Sequence, residues 1–291
     1  MKIKKNLYKA FLKLMPRKFY DSYINFTIHY LKGIDVLTYA YNNIGILKWQ
    51  DFEISGEKFV IEKIIKSIEK SKPIIFDVGA NIGDYSNLIS KIIPKATIFS
   101  FEPNPITFEI LKTNIIDFNN IHIYNVGFSS NNTKCKLYSY KDFVDSGHAS
   151  LYENHKEVIN EELSKREIIS FDVELINIDS FCEKKHINFI DYLKLDIEGH
   201  ELEALRGAVN MLRANRIGII QFEFNVANIV SKTFLKDFYD LLYPKYEFYR
   251  IDTYKLIPLG GYDAKNEIFQ IQNILLINKN IKLGLDSKYF L

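Results

Sequence analysis

Residues 72–93 read KPIIFDVGANIGDYSNLISKII. Pro73 opens the stretch, and an apolar run through Ile74, Ile75 and Phe76 meets Asp77. A near-continuous apolar run is what a strand buried on both faces of a sheet requires. Gly79 and Gly83 follow, with Asn81 between them. Glycine takes positive φ without steric penalty and lets another group approach the backbone. Beyond Gly83 the apolar residues recur at helical spacing. The stretch therefore predicts a strand, a tight turn and a helix, with an acid at the strand's end.

The same alternation continues outward. ATIFSFEPN (96–104) predicts a second strand and PITFEILKTNIIDF (105–118) a second helix, with Pro105 suited to its first turn. IHIYNVGFSS (121–130) predicts a third strand, and TKCKLYSY (133–140) alternates like an exposed one. REIISFDVELINIDSF (166–181) suggests another strand and a short connection. IDYLKLDIEG (190–199) is a strongly buried strand and HELEALRGAVNMLR (200–213) a helix. RIGIIQFEFN (216–225) is a strand, KTFLKDFYDLLYPK (232–245) a helix, and YEFYRID (246–252) and NILLINK (273–279) close the series as strands. Repeated β–α units predict a doubly wound, largely parallel sheet. Ligands of such sheets sit at the carboxyl ends of the strands, near the point where strand order reverses. Upstream, GEKFVIEKIIKSIEK (56–70) predicts a helix, with a short strand around KWQDFEISGEKFV (48–60). Residues 1–51 read as a mostly helical extension and 52–291 as the main domain.

The 291 residues are 47% hydrophobic and 25% charged, ordinary for a globular chain, and 19 tyrosines with 22 phenylalanines can fill a sizeable core. A net charge of +2 argues against a dedicated nucleic-acid binder. Cys135 and Cys182 share no metal-type spacing with each other or with the histidines, so no structural zinc is expected. No apolar run approaches the ~20 residues of a membrane span. No secretory leader is legible, and a cytoplasmic chain is expected. The N-terminus stands out: Lys2, Lys4, Lys5, Lys9, Lys13, Arg17 and Lys18 face no acid in the first 20 residues. Ile3, Leu7, Ala10, Phe11 and Leu14 recur at helical spacing beside them. Two readings compete: a helix docked on the domain or on a second subunit, and a helix lying on the inner face of a membrane.

Acids collect at the predicted strand ends: Asp77, Glu102, and Asp196 with Glu198. A dinucleotide turn wants Gly-Xaa-Gly-Xaa-Xaa-Gly, so that a diphosphate rests on the helix N-terminus. Here Asn81 takes the middle glycine's place and Asp77 precedes the turn. A carboxylate there repels a diphosphate and suits a cationic ligand. Glu102, closing the second strand, is placed to accept hydrogen bonds from both hydroxyls of a ribose. A ribose, a nearby positive charge and no phosphate together describe S-adenosylmethionine. A tight strand–helix connection with no ligand is the plainer alternative for the turn alone.

FDVGANIGDYS, FSFEPNP, NVGFSS, SGHASLY and LKLDIEGHELEALRG occur in the order seen in the FkbM family of S-adenosylmethionine-dependent methyltransferases, and the chain resembles that family over about residues 52–226. The resemblance implies a class I, Rossmann-like methyltransferase fold: a mostly parallel sheet, helices on both faces and an antiparallel C-terminal strand. It implies that Asp77, Gly79, Asn81 and Gly83 wrap the methionine part of S-adenosylmethionine. Glu102 would bind the ribose, Asn104 would lie beside the adenosine, and Asn125 and Val126 would border the adenine. Asp196 would face the sulfonium side, with Glu198, His200 and Glu201 around it. The family commonly methylates hydroxyls of sugars, lipids or polyketide-type molecules.

A sugar hydroxyl is a poor nucleophile and needs a base as the C–O bond forms. His200, Glu198, Asp196 and Glu223 are the candidates, and His148 and Ser150 lie in a loop able to close over the ligand. Asp196, Glu198 and Glu223 are also an oxygen set of the magnesium kind, but no catechol-like substrate is implied and no metal is expected. The expected activity is O-methylation of a sugar or glycoconjugate, as in surface-polysaccharide synthesis. The rival readings are an NAD-dependent enzyme of nucleotide sugars and a non-catalytic interaction protein. A homodimer is compatible with the sequence.

Overall fold

The apolar strand runs pair side by side in the computed structural model, which describes residues 22, 35–68, 70–141, 149–152, 167–281, 283–284 and 289–290. The predicted basic N-terminal helix and His148 lie outside the described residues. The chain divides into two units, Met1–Asn43 and Ile44–Leu291. In the first, helix α1 (Val36–Asn42) is capped by Asp35, whose carboxylate accepts the N–H groups of Leu37 and Thr38.

The second unit carries eleven strands among the described residues. Eight form one sheet in the order β10-β9-β11-β8-β7-β1-β2-β3. They are β1 (Ile74–Val78), β2 (Thr97–Phe101), β3 (Ile121–Tyr124), β7 (Ile190–Leu195), β8 (Ile217–Phe224), β9 (Tyr246–Asp252), β10 (Lys255–Pro258) and β11 (Gln272–Asn278). β3, β2, β1, β7 and β8 run parallel. β11 is antiparallel to both β8 and β9. The order reverses at β1, which has β2 on one side and β7 on the other. Every β7 residue is buried, as its apolar run predicts.

Helices cover both faces. On one, α2 (Asp84–Ile92) packs beside a helical run over Glu57–Phe59, Val60–Ile64 and Ile65–Ser67. On the other lie α4 (Ile178–Lys184), α5 (Glu201–Arg206), α6 (Val209–Arg213) and α8 (Leu235–Leu242). Between β2 and β3 runs α3 (Pro105–Asn114), with Pro105 in its first turn and the Asn104 side chain accepting the N–H of Ile106 at 3.0 Å. The short α7 (Ala227–Ser231) follows β8. Phe76, Phe101, Phe128 and Phe181 pack as an aromatic knot under the second face, the one covered by α4. Fully burying one such side chain contributes about 1.5–3 kcal/mol.

The structure corrects several expected elements. IHIYNVGFSS is not one strand. The Asn125 side-chain amide donates to the carbonyls of Glu102 and Pro103, the ladder stops at Tyr124, and β4 (Gly127–Phe128) joins a second sheet, β4-β6-β5. Its other members are β5 (Thr133–Tyr140) and β6 (Ile168–Ile176). The connection after β6 is the helix α4, capped by Asn177. The helix expected over 200–213 breaks at Gly207 and Ala208. The Asp179 carboxylate captures the N–H groups of Asn210 and Met211 and starts a new helix there. No strand forms around residues 48–60. Asp51 accepts the N–H of Glu53 and of Ile54, both at 2.8 Å, and curls the chain into a turn. Among the described residues no helix is long and apolar enough to cross a membrane.

Candidate active site

The carboxyl ends of β1, β2 and β7 open into one cleft, walled by Gly79, Asn81, Glu102, Asp196, Glu198 and His200 on the main sheet. Phe128, Leu137 and Leu175 of the second sheet, with Leu151, form its apolar side. Parallel strands bring their carboxyl ends to one edge, so acids distant in sequence converge there.

The turn after β1 is tight for a reason internal to the protein. Gly79 has φ +81°, and a Cβ on it would fall 1.9 Å from the Asp196 carbonyl oxygen. The group that approaches this glycine is the backbone following β7. Both Gly79 and Ala80 donate their N–H to the Phe101 carbonyl, which ties the turn to β2. Asn81 sits at φ +48°, in the left-handed region.

Glu102 is 6% exposed. One carboxylate oxygen accepts the Asn81 N–H at 3.0 Å and the other the Asn104 N–H at 2.8 Å. Each oxygen keeps a lone pair for a further donor. Burial pushes the Glu102 pKa up to about 7, against the pull of those two N–H groups. Asp77 is fully buried beneath the turn, outside the cleft wall. Ser86 donates to its Oδ2 at 2.6 Å, while Oδ1 has no hydrogen-bond partner among the described residues. Burial raises its pKa, and the Lys194 ammonium counters that.

The β7 end supplies Asp196, Glu198 and His200. Asp196 pairs with Lys194 at 2.7 Å. Glu198 takes φ +53°, and its carbonyl accepts the Ser150 hydroxyl at 3.1 Å. The ring nitrogens of His200 meet the Tyr152 hydroxyl at 3.1 Å and the Ser129 hydroxyl at 3.0 Å. Burial pushes the His200 pKa down to about 4, so the ring is neutral at physiological pH. Glu201, 1% exposed, accepts the N–H groups of Ile197 and Gly199 on one oxygen, and burial pushes its pKa up to about 8. Glu223, at the end of β8, is held well above the ordinary carboxyl range by burial and by the charges of Asp196 and Glu198.

Gly79, Asn81, Glu102, Asp196, Glu198 and His200 thus share the cleft. Asn104 stands beside it as the cap of α3, Asn125 as the tie between β2 and β3, and Val126 next to the lining Gly127. Gly83, at φ +95°, caps α2 behind the turn. Sequence reasoning missed Lys194, Glu57, Tyr152 and Ser129. Lys194 left a signal: it is the one charge inside the YLKL run of β7.

The donor set fits S-adenosylmethionine. The wall holds Glu102, Asp196 and Glu198 and, among the described residues, neither lysine nor arginine. That suits a sulfonium and an ammonium and would repel a diphosphate. Among the described residues no group of three or more His, Cys, Asp or Glu is placed to hold a metal ion.

Curated relatives of the chain are methyltransferases. The 2-O-methyltransferase NoeI of Sinorhizobium fredii is 26% identical over 54% of this chain and 66% of its own length. The hexuronic acid methyltransferase AglP of Haloferax volcanii is 27% identical over 61% of this chain and 67% of its own. The chain thus spans about two thirds of the length of these relatives. A solved rRNA methylase from Streptococcus thermophilus aligns with TM-score 0.41 and 10% identity over 79% of this chain and 98% of that one. The model of the methyltransferase FkbM domain matches residues 77–248, more than half of the chain. On that match, and with the strand-end acids and the turn after β1 in place, the chain belongs to the FkbM methyltransferase domain family.

Proposed function

We propose that the protein transfers a methyl group from S-adenosylmethionine to a hydroxyl oxygen of a sugar or glycoconjugate. The observation that carries this is Glu102. It is a buried carboxylate fixed by two backbone N–H groups at the tip of β2, in a cleft whose described wall lacks a cation. The names of the two relatives, both sugar-type or O-directed methyltransferases, support the acceptor class.

When bound, S-adenosylmethionine supplies an electrophilic methyl group on sulfur. The chain's residues do the rest. Glu102 would hold the ribose hydroxyls, and the Gly79–Gly83 turn would face the methionine end, with Asp77 supporting that turn from beneath. Holding donor and acceptor in line can contribute roughly 7–11 kcal/mol in favourable cases. For the acceptor proton we assign Glu223, which stands at the end of β8 off the cleft wall itself but within electrostatic reach of Asp196 and Glu198 on it. A carboxyl raised toward neutrality is a competent base once ionised. His200, with both ring nitrogens engaged and a pKa near 4, is a weaker base and serves to hold Tyr152 and Ser129 at the cleft. Segment 149–152, pinned by Ser150 to Glu198, lies over the same cleft.

The basic residues Lys2 to Lys18 support a site of action at an anionic membrane surface, where membrane-linked glycans are met. Calorimetry with S-adenosylhomocysteine and with NAD tests the cofactor class. Affinity for the first and none for the second is expected; the reverse overturns the reading. A product heavier by one methyl in glycans of the source cell, found by mass spectrometry, tests the acceptor.

A further inference from the structure

Lys194 is 4% exposed, yet it carries an ammonium into the middle of the sheet. Its register partners are Asp77 on β1 and Gln221 on β8. The ammonium lies 2.7 Å from Asp196 Oδ2 and 4.8 Å from the centre of the Tyr85 ring. Asp77 and Glu57 act on it from two other elements. Around it runs a buried chain of hydrogen bonds. Tyr85 and Tyr192 share one at 2.7 Å, Tyr192 donates to Gln221 at 2.6 Å, and Gln221 donates to Glu57 at 3.2 Å and to Asn273 at 3.1 Å. Ser55 completes the shell of Glu57 at 2.9 Å.

Desolvating an ammonium is costly, and replacing a buried ion pair by apolar side chains is often neutral or stabilising. A pair that served only the core would also bury its acid. Here the pair is lopsided: the lysine side chain is 5% exposed and the aspartate side chain 39%. Asp196 lines the cleft, and one of its oxygens is fixed from behind by the lysine. Burial pulls the Lys194 pKa down, but the carboxylates of Asp196, Glu57 and Asp77 outweigh it and keep the ammonium charged.

We propose that Lys194 is a positioning residue: from inside the sheet it fixes the carboxylate of Asp196 so that the second oxygen faces the bound ligand in the cleft. This rests on the cofactor reading above. The lysine never meets the ligand and acts through Asp196.

The test is a double-mutant cycle on the full chain, read by calorimetry with S-adenosylhomocysteine and by thermal melting. Lys194→Met should weaken binding by about tenfold or more. In an Asp196→Asn background the same change should add less than about twofold, because the group it acts through is gone. Binding unchanged in a folded Lys194→Met protein, or losses that multiply independently, overturns the proposal. A purely structural lysine would lower the melting temperature and leave the affinity of folded protein alone. If the methionine variant does not fold, Lys194→Gln reads the same cycle; if neither neutral variant folds, the ammonium serves the fold and the proposal falls. Wild-type protein with no affinity would instead sink the cofactor reading itself.

Discussion

The Glu102 carboxylate accepts the Asn81 N–H at 3.0 Å, so the acid that ends β2 is clamped by the turn that ends β1. Two strand tips are thereby tied together at the cleft that Glu102 lines. With its pKa near 7, this acid is half ionised at neutral pH.

That predicts a pH-dependent affinity. Ribose hydroxyls donate to the ionised acid, so S-adenosylhomocysteine should bind more tightly as pH rises from about 6 and level off above about 8. Glu102→Gln should weaken binding about tenfold or more and remove this dependence. Calorimetry at three pH values decides it; a Gln variant with wild-type affinity sinks the assignment.

Glu223 and His200 separate by kinetics. Glu223→Gln should lower the transfer rate by ~10²-fold or more while sparing S-adenosylhomocysteine affinity. The wild-type rate should climb with pH through the raised Glu223 ionisation, and the Gln variant should lose that limb. His200→Asn should have the smaller effect on rate. A larger loss from His200 than from Glu223 would reverse the two roles.

Glu201 predicts the opposite pH trend, in stability. Its folded pKa is near 8 against an ordinary 4.5. The folded state therefore holds this proton more tightly than the unfolded chain does. Its stabilising contribution is complete below about pH 4.5 and is lost as pH rises to about 8. Glu201→Gln keeps the oxygen that accepts the N–H groups of Ile197 and Gly199. It should be more stable than wild type at pH 8, by on the order of a few kcal/mol, and the gap should close toward pH 5. Urea midpoints at both pH values measure it, and a constant gap refutes it.

Gly79→Ala should be severe. The added Cβ would meet the Asp196 carbonyl at 1.9 Å on a backbone with φ +81°. Left-handed strain and overpacking together suggest a loss of about 2–5 kcal/mol. A melting temperature within a few degrees of wild type would show that the turn has slack.

The parts of the fold legible in the sequence were those with continuous apolar runs. β1, β2, β7 and β8 announce themselves because both their faces are buried; of the acids at their ends, Glu102 and Asp196 line the cleft, while Asp77 and Glu223 do not. The second sheet was harder. β5 and β6 pair chiefly with each other, and the two-residue β4 is a strand only because β6 lies beside it. β10 was missed as a strand of four residues on the edge of the sheet. The shell around Lys194 joins Glu57, Tyr85, Tyr192 and Gln221, residues far apart in sequence. No local pattern encodes such meetings; the crossovers of the sheet create them.

The placement of β11 bears on how the sheet is assembled. Among the described residues, the backbone ladder joins β9 and β10 to the rest of the sheet through β11, which sits between β8 and β9. During vectorial synthesis the β9–β10 hairpin emerges before the strand that docks it. Until then β8 offers an open edge, the kind of surface on which nascent chains pair wrongly. Nicking the chain between β10 and β11 should therefore loosen the β9–β10 hairpin, which would keep the Tyr246–Ile217 hydrogen bond and the Tyr239–Phe248 stack but lose its covalent tie to the strand between it and β8.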